Sequence, residues 1–401
     1  MLRTCLFLWF SVLSLSAVAA TSFQVITPTG SDIGVSVKPV VGYRYWQAEV
    51  APGGVYDQIG LHRYGVRADG PVVLYLPGTN MNSQPNDLGE RHNLLLYLAG
   101  RGVTVYGLDY RTSSVPADFG GEVTFMKTWT MSRFVADARL AFEFVRQQHP
   151  VAPIFIAGFS RGANYAYALS GQVEAAGLIA LDGSFKNAIP DAFDAAAALE
   201  ALAASGRYAS ILSERRGWEG RQAMFESALN PADSTDTGAA QSEIRAPSEI
   251  RAQSEIRAQS DLPAQRLAET LHKAWGPGGL ANPIDGISDI QVLARLMLGY
   301  DRFFPAIQNI EGQRLASVAD DPATSLDDHF GSLGIPILYF GATGLGIDHL
   351  LNGIYSAGKG GATATEIHVL ENYGHLDVLV ANNATTEVYD VILRWLNQQT
   401  K

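Results

Sequence analysis

Apolar residues in this chain fall into two alternating patterns. Short unbroken apolar runs occupy 71–76 (Pro-Val-Val-Leu-Tyr-Leu), 103–108, 153–157, 176–181 and 335–340, each stopped by Gly, Asp or Pro nearby. Runs of this length predict strands buried on both faces. Between them apolar positions recur at helical spacing. The stretch 91–100 predicts a helix ending at Gly100, and Phe134, Val135, Ala138, Leu140, Ala141, Phe142 and Val145 predict one over 132–148. Ahead of these, 41–57 and Gln58–Tyr64 alternate around turn residues and predict an opening antiparallel pair. A strand at 366–370 and a helix at 388–396 close the chain. Strands alternating with helices predict an α/β architecture: a mostly parallel sheet with helices on both faces.

The rhythm stops between 186 and 334. Ala-rich helical sequence at 192–204 gives way to a Ser/Asp/Thr/Gly stretch, then to a helical stripe of Ile290, Leu293, Leu296, Met297, Tyr300 and Phe304. Such a segment inserted late in the sheet predicts a helical cap, with 21–185 and 335–401 forming the core. Inside it, Ser-Glu-Ile-Arg-Ala-Pro at 242–247 begins a tandem hexapeptide that runs, with a degenerate last copy, to 265. Six residues advance a helix by about 600°, so the repeated isoleucines share no face. The repeat therefore predicts a flexible surface tract or a frayed helix.

Composition narrows the function. Apolar residues make up 47% of the 401 and charged residues 17%, enough for a large buried core. The formal net charge of −11, with no basic cluster, argues against nucleic acid or an anionic membrane surface as partner. Residues 1–20 carry one Arg, an apolar run and the ending Ala17-Val18-Ala19-Ala20, the pattern of a cleavable secretory signal. The expected location is therefore secreted or periplasmic. Cys5, the single cysteine, lies within this segment, so the mature chain is expected to hold no disulfide and no thiolate metal site. No later stretch is long and apolar enough to predict a membrane span.

Candidate chemistry centres on Gly158-Phe159-Ser160-Arg161-Gly162, placed between the apolar run 153–157 and an Ala-rich helical pattern at 162–170. In that strand–turn–helix setting the pentapeptide predicts a nucleophile elbow holding the Ser160 hydroxyl above the sheet. A serine needs an adjacent base held by an acid. Of the eight histidines, His375 alone stands in a Gly-preceded loop after the final strand. Spacing predicts no metal ligand set, no phosphate loop and no cofactor.

The order of Ser160, an acid and His375 resembles the α/β-hydrolase superfamily, over 41–185 and 335–401. The tail Tyr373-Gly374-His375-Leu376-Asp377, followed by Glu387-Val388-Tyr389 and Trp395-Leu396, looks most like its esterase and lipase branch. The resemblance implies a serine hydrolase of carboxylic esters working through an acyl-enzyme on Ser160. It places the acid at Asp348, after the strand preceding the histidine strand, with Asp182 as the alternative used by some members. It implies oxyanion donors at the backbone of Arg161 and Thr79, though Pro77 stands where relatives often carry His. Asp109 and Asp377 are read as structural. The implied partner is a small ester or lipid-like molecule. An amide-cleaving exopeptidase, whose amine anchor the sequence does not assign to Glu200, Glu214 or any other acidic residue of the insertion, and a non-catalytic binding protein are the other readings.

Overall fold

The computed structural model describes residues 22–26, 42–65, 70–230 and 263–400. The signal-like segment 1–20 and positions 242–262 of the hexapeptide lie outside the described residues, while Pro263–Lys273 begins with the last three positions of the repeat tract and is helical.

The elements follow in chain order. Strands β1 (Gln24–Ile26), β2 (Arg44–Glu49), β3 (Gln58–Tyr64) and β4 (Val72–Leu76) precede helix α1 (Leu94–Ala99) and β5 (Thr104–Asp109). Then come α2 (Met131–Gln148), β6 (Ile154–Phe159), α3 (Arg161–Ser170) and β7 (Gly177–Leu181). The described part of the insertion folds as helices α4 (Ala195–Ser205), α5 (Arg215–Leu229), α6 (Pro263–Lys273), α7 (Ile290–Leu298) and α8 (Ile307–Ser317). The chain ends with β8 (Ile337–Ala342), α9 (Ile347–Lys359), β9 (Thr365–Leu370), α10 (Asp377–Val380) and α11 (Asp390–Gln399).

Nine strands form one sheet in the order β1-β2-β3-β5-β4-β6-β7-β8-β9. The β1–β2, β2–β3 and β3–β5 pairs are antiparallel and the rest are parallel. Period-two alternation sends successive side chains to opposite layers. Leu74 packs with Phe134 and Tyr165 on one side, whereas Val73 and Tyr75 pack with Leu98 and Ile392 on the other. The runs read as two-sided strands are buried throughout β4, β5, β6, β7 and β8. Register then matters for function. Leu76 faces Gly158, Phe159 faces Leu181, and Leu181 faces Phe340. The carboxyl ends of β4, β6, β7 and β8 therefore stop side by side, and their loops share one edge, where open α/β sheets bind ligands.

The stripe expected to run helically to Phe304 stops earlier. Helix α7 ends at Leu298, and the chain turns toward the loop after β4. There the Asn82 side-chain amide donates to the Gly299 carbonyl at 2.8 Å, and Asn80 donates to the carbonyls of Asp301 (2.9 Å) and Arg302 (3.2 Å). These bonds satisfy carbonyls that a continuing helix would have kept for itself. Several elements escaped the sequence pattern: β1, three exposed residues paired to β2; the helices α5, α6 and α9; and α8, whose apolar and polar positions show little helical segregation.

Asp301 is the latch of this junction. Its carboxylate accepts from Ser113 Oγ at 2.6 Å and from Asn82 Nδ2 at 2.9 Å, with no cation paired to it among the described residues. Burial pushes its carboxyl up to about 7, Asp109 adds to the rise, and the Ser113 and Asn82 bonds oppose it. A raised folded value means the fold favours the protonated acid. Stability is thus complete below the ordinary carboxylate pKa of about 4 and is lost as pH rises through about 7. Asp301→Asn, which cannot ionise, should gain in melting temperature relative to wild type between pH 5 and pH 8. A difference that stays constant over that range, measured by scanning fluorimetry, would contradict the assignment.

Candidate active site

The site is assembled from the loops at the shared sheet edge. Ser160 caps α3 with φ 54° and ψ −122°, a conformation rarely adopted by an L-residue and concentrated at functional sites. Its backbone N–H donates to the Leu181 carbonyl at 2.9 Å, which pins the elbow to β7. The flanking glycines are required by contact. A Cβ on Gly158 would lie 2.3 Å from the Gly162 carbonyl oxygen, and one on Gly162 would lie 2.0 Å from the Leu76 oxygen. Strand, turn and helix could not pass this closely with larger residues. The Ser160 side chain stays partly open to solvent.

His375 follows β9 in a loop held by the insertion. Its backbone N–H donates to the Gly279 carbonyl at 2.9 Å, and that of Leu376 to Leu280 at 2.8 Å. Asp377 acts beneath it, accepting from the Gly374 N–H at 2.7 Å, the Asn282 N–H at 2.8 Å and Ser288 Oγ at 2.5 Å. That carboxylate is a structural clamp, as the sequence implied. The imidazole is 5% exposed and stacks on Phe159, the residue before the serine, with ring centres 4.7 Å apart. Trp275, itself 63% exposed, approaches the same imidazole with centres 6.0 Å apart.

The acid expectation that favoured Asp348 gives way to its alternative. Asp348 is exposed on the first turn of α9, where a carboxylate complements the helix N-terminus. Asp182, fully buried after β7, meets the imidazole: His375 Nδ1 donates to Asp182 Oδ2 at 2.6 Å. The carboxylate can only accept, so Nδ1 carries the proton and Nε2 of the neutral ring is left as the acceptor. The Ala342 N–H fills Asp182 Oδ1 at 2.8 Å. Burial alone would raise the Asp182 pKa, but His349 and His375 outweigh it and hold the carboxyl well below the usual carboxylate range.

His349 is the residue that sequence reasoning missed. Its Nε2 lies 3.4 Å from Asp182 Oδ1, a charge contact without hydrogen-bond alignment, so the carboxylate faces an imidazole on each oxygen. The signal was present: His349 adjoins Asp348 in the segment after β8, where the family likeness places the acid. Asp182, His349 and His375 also place ligand atoms within 4.8 Å of one another, as do Asp320, Asp327 and Asp328. In both groups one carboxylate is already engaged, Asp182 by His375 and Asp327 by Lys186.

Of the residues expected to supply oxyanion donors, Arg161 follows Ser160 at the elbow and Thr79 follows Gly78 in the loop after β4. Arg161 opens α3, so its N–H has no intrahelical acceptor. The loop carrying Thr79 crosses directly over the serine: a Cβ on Gly78 would lie 3.1 Å from Ser160 Cβ. Asn80, with φ 61°, turns that loop and bonds it to the insertion. Asp109 is structural, accepting from His62 Nε2 and the Ser83 N–H at 2.8 and 2.7 Å. Glu200 and Glu214, the acidic residues of the insertion that the sequence left unassigned, are exposed.

The Asp182–His349 contact has a pH signature. Burial lowers the His349 pKa, but the Asp182 carboxylate more than reverses this and leaves it raised. The contact therefore stabilises the fold fully below the ordinary histidine pKa of about 6.5 and fades as pH rises through the folded value. His349→Gln should lower the melting temperature most near pH 5.5 and least near pH 8.5. Equal losses at both would contradict the contact.

No family model and no curated protein sequence matches the chain. Solved structures do. A protein from Sulfolobus solfataricus provisionally described as a lipase superposes with a TM-score of 0.68 at 22% identity, over 94% of this chain and 99% of that one. A highly thermostable carboxyl esterase from Bacillus coagulans gives 0.54 at 15% identity, over 90% and 99%. With the parallel sheet, the strand–elbow–helix and near-complete overlap of both neighbours in place, the chain has the α/β-hydrolase fold.

Proposed function

We propose that this chain is a secreted serine hydrolase of carboxylic esters. One observation carries the reading: the buried Asp182 carboxylate orients His375 beside a strained serine elbow that opens a helix. In the reaction Ser160 Oγ attacks the ester carbonyl while His375 Nε2 takes its proton. Asp182 holds the ring through Nδ1–H and stabilises the imidazolium that forms. The N–H groups of Arg161 and Thr79 take the developing oxyanion, and losing one such donor typically costs about 10²–10³ in rate. Collapse expels the alcohol, which regains the proton from His375. Water, deprotonated by the same Nε2, then attacks the acyl-enzyme, releasing the carboxylic acid and restoring the Ser160 hydroxyl.

The insertion 186–334 is read as a cap over this site, since 278–281 grips the histidine loop and 299–302 grips the Thr79 loop. The family likeness favours an ester, and both structural neighbours bear esterase or lipase descriptions. Among the described residues no helix is long and apolar enough to cross a membrane. Export follows from residues 1–20, and a secreting host should yield a mature chain starting at Thr21 by N-terminal sequencing.

Fluorophosphonate labelling and nitrophenyl ester turnover test the chemistry. Ser160→Ala should abolish labelling, and Asp182→Asn should cut kcat by about 10⁴. Asp348→Asn should stay within a fewfold of wild type. Labelling that survives Ser160→Ala, or a loss in Asp348→Asn equal to that in Asp182→Asn, would overturn the assignment. Turnover of amino-acid anilides without esters would instead identify an amidase.

A further inference from the structure

The elbow carries a charge that a neutral ester does not use. Arg161 directly follows Ser160 and opens α3. Its guanidinium is deep enough in protein that desolvation lowers its pKa, with Tyr165 and Glu311 opposing, yet the residue keeps partial contact with solvent. Nη1 donates to Asn164 Oδ1 at 3.1 Å; among the described residues no carboxylate comes within 4.0 Å of the guanidinium. Nε and Nη2 are thus uncommitted donors.

The surroundings are built to hold this group. A Cβ on Gly312 would lie 1.8 Å from Nη1, so glycine at that point of α8 is what lets the guanidinium rest against the helix. Asn164, its one partner, is anchored in turn by donating to the Ser184 carbonyl, two residues past Asp182. Glu311, the acid whose charge acts on Arg161, spends Oε2 on the Met131 N–H at 2.7 Å, and burial pushes its carboxyl up, toward the neutral form. An enclosed guanidinium without a contact anion is costly. A planar fork with two free N–H edges matches a carboxylate, which it can grip with two parallel bonds.

We infer that Arg161 selects anionic esters, gripping a substrate carboxylate a few atoms from the scissile carbonyl. This rests on the ester-hydrolase reading above and names its substrate class: hemiesters of short dicarboxylic acids if the charge lies on the acyl side, esters of hydroxy acids if it lies on the alcohol side. The bond to Arg161 is noncovalent, and hydrolysis proceeds as for any ester.

The test is a ratio of kcat/KM values on matched pairs, measured with the full mature chain. Nitrophenyl hemiglutarate against nitrophenyl valerate probes the acyl side. The butyrate ester of 4-hydroxybenzoate against phenyl butyrate probes the alcohol side. One pair should favour the anion by about ten- to a hundredfold, the range of a hydrogen bond to a charged group. Arg161→Met should collapse that ratio to about one or below, and Arg161→Lys should retain part of it. If Arg161 only balances Glu311, then Arg161→Met and Glu311→Gln will slow both members of each pair alike and leave the ratio unchanged, which overturns the inference. Ratios near one in the wild type, with neutral esters turned over through Ser160, overturn it too while leaving the hydrolase reading intact. Failure to turn over any ester would sink both.

Discussion

The hydrogen bond between Asp182 and His375 is the constraint on which the rest of the site depends. It joins residues 193 positions apart, at the ends of elements brought together only by the parallel sheet. An ionised carboxylate at zero exposure survives because every approach to it is answered: His375 on one oxygen, the Ala342 N–H and the His349 ring on the other. The same contacts fix the imidazole tautomer and leave its free nitrogen as a base. Removing a single partner would leave charge buried without compensation, which is far costlier than losing a surface ion pair.

Close backbone approach makes that arrangement possible. Gly158 and Gly162 let β6, the turn and α3 nest against Leu76, while Gly183 lies over the Ser160 carbonyl with room for no side chain. Phe159 then bridges the elbow to the histidine by stacking. The insertion completes the edge, because His375 and the Thr79 loop each lean on hydrogen bonds from it. Core and insertion therefore share the site, and changes in either can reach the serine.

How much of this was legible beforehand follows from which contacts are local. Ser160 and its glycines form a compact pattern whose meaning is set by the adjacent strand and helix, and His375 is marked by its place after the last strand. The buried strands announce themselves by unbroken apolar runs. The acid was not decidable, since Asp182 and Asp348 both follow strands that flank the site; only the turn into α9 at Gly346 sends Asp348 outward and His349 inward. The end of α7 escaped for a similar reason. Its apolar stripe continues to Phe304, but hydrogen bonds from Asn80 and Asn82, over 200 positions earlier, draw the chain out of the helix. Periodicity records local preference, and these features are decided by distant partners.

The central claim, that Asp182 is the acid on His375, is tested most directly by proton NMR of the resting enzyme. The Nδ1 proton held between the imidazole and the carboxylate should give a resonance far downfield of the amide envelope. The account predicts that this signal disappears or moves strongly upfield in Asp182→Asn and persists in Asp348→Asn. A signal unaffected by Asp182→Asn, or lost with Asp348→Asn, would contradict it.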